Sequence, residues 1–307
     1  MRIAWPPRGG VRRIDNARVE GSSDDNRRED RHDHAISDQI TAGELLDECA
    51  ITSNGIRGDR ALALVDTATG KIASAKQPNL WRDLLTLSAK TDPSALNSRV
   101  VVSSGAGDQL DHLDANFDAW LSKLLGRDVK LIETRQNGVE LNRARPDEVL
   151  ERGIDEAVTQ DLLAIGAAAP GGGFFDFAPI HLVNAASLDA ISDLAPLASI
   201  SAERYRPNLV IETTSSSRAF AENEWVGRRL HIGQTVELEI IAPTPRCAVP
   251  LLSHGALPVS SAAVSGVNKL NRVEFPLLGP GQYPCLGAYA TVLSPGPVQR
   301  GDAVSLE

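Results

Sequence analysis

The stretch Leu230-His-Ile-Gly-Gln-Thr-Val-Glu-Leu-Glu-Ile-Ile-Ala-Pro-Thr-Pro-Arg-Cys-Ala-Val-Pro250 reads as two short strands, Leu230–Ile232 and Val236–Ile241, joined at a glycine turn. The second strand runs into a segment with three prolines that carries Arg246 and Cys247. Short β-branched and leucine-rich runs punctuated by Gly, Pro and Asn are strand signals. The same pattern recurs on either side, at Ile180–Val183, Asn208–Glu212, Ala288–Leu293 and Ala303–Leu306. Helices at Ser187–Leu194 and around Ser260–Leu270 interrupt the series. Many short strands at regular turn signals predict a barrel or closed sheet rather than βαβ winding. The expected fold class is mostly β with some helices (α+β).

Pro170-Gly-Gly-Gly173 marks a boundary ahead of this half. Upstream, Ala61–Val65 and Lys71–Ala75 around the turn Asp66–Gly70 read as a hairpin. Phe117, Trp120, Leu121, Leu124 and Leu125 form one apolar stripe at helical spacing, with Asp114 as candidate N-cap and Gly126 as stop. A strand, Val129–Glu133, should follow. Glu140–Gln160 is polar and has no clear period. The run from Gly21 to Gln39, mixed in sign and nearly free of apolar residues, cannot bury enough surface to offset its ordering entropy and is expected as a solvated loop.

The 307 residues carry a net charge of −9, which argues against a nucleic-acid or anionic-membrane binder, since either needs a basic surface. The longest apolar run, Leu162 to Ala169, falls far short of the ~20 residues of a membrane span. The first residues lack the apolar core of a secretory signal. Three widely spaced cysteines make neither a disulfide framework nor a four-ligand zinc site. A cytoplasmic protein is expected. Only six of the 31 basic residues are lysine, which points to a GC-rich bacterial genome.

Cys247 is the first candidate for chemistry. Arg246 beside it favours the thiolate, the nucleophilic and metal-binding form; the alternative is a cysteine buried as a small hydrophobe. Cys49 and Cys285 have no such context and are expected to be structural. In Arg204-Tyr-Arg-Pro-Asn208, two alternate arginines beside an asparagine suit a bidentate clamp on an anion, or else a strand entry with solvated arginines. Gly55-Ile-Arg-Gly-Asp-Arg60 is a compact Arg/Asp turn. His32 and His34 sit in the solvated charge run, a poor place for a metal site, and the remaining histidines are scattered. No phosphate loop and no Gly-x-Ser-x-Gly elbow occurs.

Taken in order, Asp176-Phe-Ala-Pro-Ile-His-Leu-Val183, Ala186-Ser-Leu188, Arg204-Tyr-Arg-Pro-Asn208, Ala219–Trp225, Leu230-His-Ile-Gly233, Pro245-Arg-Cys247, Gly287-Ala-Tyr289 and Gly296–Asp302 form a series. It resembles the MOSC domain, the module named for the C-terminal region of molybdenum cofactor sulfurases, over residues 174–307. Trp5–Val11, Gly55–Arg60, Ala75-Lys-Gln-Pro78 and Trp120–Leu131 resemble the smaller β-barrel-like domain that precedes it in two-part members, such as the mitochondrial amidoxime-reducing component and its bacterial relatives. The resemblance implies an N-terminal domain over 1–140 with a loop insertion at 18–53, a linker over 141–173, and a MOSC β-barrel over 174–307. It also implies a molybdopterin-type molybdenum cofactor, with Cys247 as metal ligand and catalytic residue. Arg206, Asn208, Ser187 and Arg246 would hold it, joined by Arg8, Arg57 and Arg60 from the first half.

Arg8-Gly9 stands where that family has Lys-Ser, and the sequence after Cys247 also departs from its pattern. The implied activity is a molybdenum-dependent oxidoreductase for a small N-oxygenated or sulfur-containing compound. With no four-cysteine ferredoxin module in the sequence, a separate protein would donate the electrons. Two alternatives keep the same residues. One is a metal-free enzyme using Cys247 as persulfide carrier or nucleophile for sulfur transfer or C–S bond formation in biosynthesis; the other is a non-catalytic carrier of the molybdenum cofactor.

Overall fold

The computed structural model describes residues 1–4, 46–91, 99–136, 138–195, 198, 200–213 and 218–307. Its main sheet has eight strands. Along its path lie Arg2–Ala4, Leu209–Glu212, Ile180–Asn184, Gln282–Ser294, Val236–Pro245, Arg229–Ile232 and Val304–Leu306, with Arg272–Glu274 paired to the side. The two ends of that path meet at the bridge Arg2↔Ala303, so the sheet is a nearly closed barrel. The one parallel pair, Ile180–Asn184 with Leu209–Glu212, needs a crossover, and the helix Ala185–Leu194 supplies it. Asn184 caps that helix, its side chain accepting from the Ala186 amide.

The alternation of the long strand Val236–Pro245 explains the barrel core. Val236, Leu238 and Ile240 point inward beside Leu182, Leu209, Leu230 and Ala290, while Glu237 and Glu239 point away. Of the six strands read from this half of the sequence, five, with both helices, fall within a few residues of their observed bounds, the exception being Ala288–Leu293. That segment is the end of a thirteen-residue strand starting at Gln282, which Pro284 and Gly287 conceal. Gly287 (φ +83°) is required: a Cβ there would run into the Leu182 carbonyl and the His181 ring.

The first half is built from smaller sheets. Ala63–Asp66 pairs with Val129–Ile132, and Ser88–Thr91, Val100–Ser103 and Gln109–Asp111 form another sheet. The amphipathic helix Phe117–Leu125 packs Phe117 and Leu121 into the core around Trp81 and Leu84, and Gly126 ends it in the left-handed conformation. Its N-cap is Asn116; Asp114, expected there, accepts instead from the Asn116 amide in the preceding turn. The expected hairpin closes through the bridge Val65↔Ile72 alone, because Ile72 also bridges Leu141.

Two segments differ from expectation. Residues 141–173, read as a linker, hold most of the strand Glu140–Ala144, the helix Pro146–Arg152 and the strand Gln160–Ala164, the two strands being paired. The tail of the 18–53 insertion carries the strand Glu48–Thr52, which pairs with Gly296–Gln299. Residues 18–45 of the insertion, with His32 and His34, lie outside the described residues, as does Arg8. Among the described residues no helix is long and apolar enough to cross a membrane.

Candidate functional site

A cleft of about 280 Å³ opens where the two halves meet. Arg60, Lys76 and Arg143 enter it from the first half, and His181, Arg204, Arg206, Arg246, Cys247 and Tyr289 from the second. Six of its lining residues are cationic and only Asp176 is acidic, so a protein of net charge −9 concentrates positive charge here. A low-dielectric concavity with one sign of charge favours an anionic ligand.

The hydrogen bonds explain how these side chains are fixed. Arg246 leaves the strand Val236–Pro245 with its backbone amide bonded to the Pro284 carbonyl. Its guanidinium donates to the carbonyls of Thr244 and Tyr205, 3.2 Å each, and lies 3.4 Å from His181 Nε2. Arg143 reaches over from the first half and donates to the Arg246 carbonyl at 2.6 Å. His181 Nε2 lies 3.4 Å from both the Arg246 guanidinium and the Leu286 carbonyl, and its Nδ1 faces the Arg206 carbonyl at 3.4 Å. Burial, then the charge of Arg246, hold the His181 pKa well below its usual value against the pull of the Arg206 and Leu286 carbonyls. The ring is neutral at pH 7. Burial likewise raises the Tyr289 phenol, which stays protonated.

Cys247 follows Arg246 and is half-buried, whereas Cys49 and Cys285 are buried. Burial pushes the Cys285 thiol up to about 11, so it is inert as a nucleophile at neutral pH. Among the described residues, Cys247 is the accessible thiol.

Of the residues singled out in the sequence, Arg60, Arg206, Arg246 and Cys247 come together in the cleft. Asn208 stands behind it as a brace: its Nδ2 donates to Asp59 Oδ2 at 2.7 Å, and its Oδ1 accepts from the His181 amide at 2.8 Å. Arg60 donates to the same Asp59 oxygen, so this carboxylate ties the two halves.

Three readings need correction. Ser187 does not line the cleft; it is fully buried, donating to Glu222 Oε2 and accepting from the Phe220 amide. Arg57 is exposed and outside the cleft. Arg204, paired with Arg206 as an anion clamp, is fully buried, and its guanidinium donates to the carbonyls of Pro250, Leu252 and Pro258. It therefore holds the loop after Cys247. Arg143, Lys76, His181 and Tyr289 were missed as site residues. Lys76, His181 and Tyr289 lay inside quoted motifs; Arg143 gave no signal.

That loop also sets an acid limit on the fold. His254 Nδ1 lies 2.9 Å from the Leu252 carbonyl, and its buried Nε2 finds no partner among the described residues. Burial, with Arg206 as the next cause, lowers its pKa to about 4. The unfolded chain, at the usual ~6.5, binds the proton first, so stability is full above pH 6.5 and falls on acidification toward pH 4. Linkage gives a loss of about 2 kcal/mol between pH 7.5 and 5.0 from this group alone. Urea midpoints at those two pH values should show the loss, with a smaller one in His254→Asn; equal slopes would contradict the assignment.

The fold is a nearly closed β barrel whose cleft joins a cationic lining to one accessible thiol among the described residues. Residues 172–305 match the family model of the MOSC domain, so this part of the chain is a MOSC domain. MOSC domains are associated with the molybdenum cofactor in general and correspond to the C-terminal domain of the sulfurases of that cofactor. Among solved structures the chain is similar to YiiM from Geobacillus stearothermophilus, at 14% identity and a TM-score of 0.29. That similarity covers 42% of this chain and 54% of the YiiM chain, about half of its length. No curated protein matches the chain.

Proposed function

We propose that the chain is an oxidoreductase that holds a molybdopterin-type cofactor in this cleft and acts on a small N-oxygenated or sulfur-containing compound. The observation that carries the reading is the pairing, among the described residues, of one accessible thiol with Arg60, Arg143, Arg206 and Arg246 in one cleft. The donor set fits such a group. Among the described residues no three His, Cys, Asp or Glu side chains gather to hold a metal ion, so a metal beside Cys247 must arrive with ligands of its own. A pterin dithiolene brings soft sulfur ligands that match the thiolate, and its phosphate matches the arginines.

In this reading the Cys247 sulfur ligates the metal, and Arg206, Arg246, Arg143 and Arg60 receive the phosphate. Neutral His181 orients Arg246 without adding to the crowding of positive charge. The bound group supplies the two-electron redox chemistry. Electrons come from a separate donor protein, and the free thiols suit a reducing cytoplasm. The first half serves as the N-terminal companion domain of the two-part MOSC proteins, contributing Arg60, Lys76 and Arg143.

The test is metal and pterin analysis of protein made in a host competent for cofactor synthesis, in wild type and at Arg206. A charge-assisted contact is worth about 1.5–3 kcal/mol, so Arg206→Ala should weaken pterin retention roughly ten- to a hundredfold. Arg206 sits at φ +53°, and alanine there keeps the same backbone cost, so the melting temperature should hardly move. Arg206→Lys should recover only part, since an ammonium cannot reproduce the planar fork. Protein that never holds pterin yet needs Cys247 would instead support the metal-free sulfur-transfer reading.

A further inference from the structure

The cationic residues occupy only part of the cleft; the rest of the lining is apolar. Phe177 meets Phe275 edge-on at 5.6 Å between ring centres and Tyr289 at 5.3 Å, building an aromatic wall. Leu162, from the strand Gln160–Ala164, and Leu277, from the short turn Pro276–Leu278, line the same cleft. They are 51% and 62% exposed, among the most exposed large apolar side chains described. Two leucines left in water at one cleft, next to aromatic rings, mark a surface whose burial a ligand completes.

We propose that this end is the substrate subsite, and that it takes a flat apolar or aromatic body whose reacting polar head turns toward the cationic end. The inference rests on the oxidoreductase reading for the reaction at the head, but the recognition of the body does not. The size of the cleft, about 280 Å³, suits a small molecule. The arginines of the cationic end are assigned to the cofactor phosphate, so recognition at this end rests on the apolar body. Lys76 is already paired with Asp176. The apolar wall selects compounds that carry their reacting group on a ring and disfavours small polar ones of the hydroxylamine kind.

The experiment titrates the full chain with 2-naphthoate and with acetate, which keeps the head and removes the body, following binding calorimetrically. Pterin content is measured in every preparation. Wild type should bind 2-naphthoate at least tenfold more tightly than acetate. Leu277→Asn and Leu162→Asn, on separate elements and both exposed, should each weaken naphthoate about tenfold while acetate affinity stays unchanged. Two variants guard against one that misfolds, which circular dichroism would reveal. Equal affinities for the two probes, or leucine variants that bind naphthoate like wild type, would overturn the proposal. If pterin is absent throughout but naphthoate binding depends on the leucines, the subsite stands and the molybdenum reading falls.

Discussion

Cys247→Ser should reduce turnover with an artificial electron donor by on the order of a thousandfold or more and leave the fold intact. The substitution exchanges one atom. Sulfur is a soft ligand, whereas a serine hydroxyl is hard. Cys247 is half-buried at the edge of the small cluster around Leu252 and Val264, so the exchange leaves core packing in place, with an expected stability change within about 0.5 kcal/mol. Cys285→Ala inverts the pattern. Its side chain is fully buried, so truncation costs about 1–2 kcal/mol of stability and leaves turnover near wild type. Melting temperature and turnover measured on the same two variants separate the roles. An active Cys247→Ser protein beside a dead Cys285→Ala one would remove Cys247 from the site.

The barrel was legible because its strands alternate or run apolar over enough residues to give a period. Ile180–Asn184 is buried throughout, and Val236–Pro245 alternates. What stayed hidden depends on distant partners. Arg2–Ala4 is three residues long, and pairing with Leu209–Glu212, together with the bridge to Ala303, makes it part of the barrel. Gly296-Pro297 reads as a turn, yet it pairs with Glu48–Thr52. The site shows the same limit. Pro245-Arg-Cys247 carries its own signal, a cation beside a thiol. In Asn142-Arg-Ala-Arg145, by contrast, two arginines at alternate positions would share one strand face, and only the end of the strand at Ala144 separates them. Pairing with Gln160–Ala164 buries Arg143 against the Arg246 carbonyl and leaves Arg145 in solvent on Asp161.

Arg204 illustrates the other failure, a residue whose chemistry was read correctly and whose partner was not. Two arginines flanking a tyrosine suggested one anion clamp. The short helical turn Ala202–Tyr205, followed by Arg206 in the left-handed conformation, instead separates their tasks. Burial lowers the pKa of Arg204 from the usual guanidinium value. The side chain nevertheless remains charged, and its donors fall on the Pro250, Leu252 and Pro258 carbonyls at 3.3, 3.2 and 2.6 Å. Arg204→Met preserves much of the volume and removes every donor. A buried acceptor without a partner costs about 1–3 kcal/mol, so with three of them partly relaxing a loss of about 3–5 kcal/mol is expected. Arg204→Lys should recover a fraction, because one ammonium cannot span three carbonyls arranged for a fork. Pterin retention would fall as well, since the loop after Cys247 loosens, but only together with stability. Arg206→Ala should lose retention alone. Urea midpoints and bound pterin, read side by side in the two variants, therefore tell a structural arginine from a ligand-binding one. An Arg204→Met protein as stable as wild type but empty of pterin would return Arg204 to the anion clamp that its spacing first suggested.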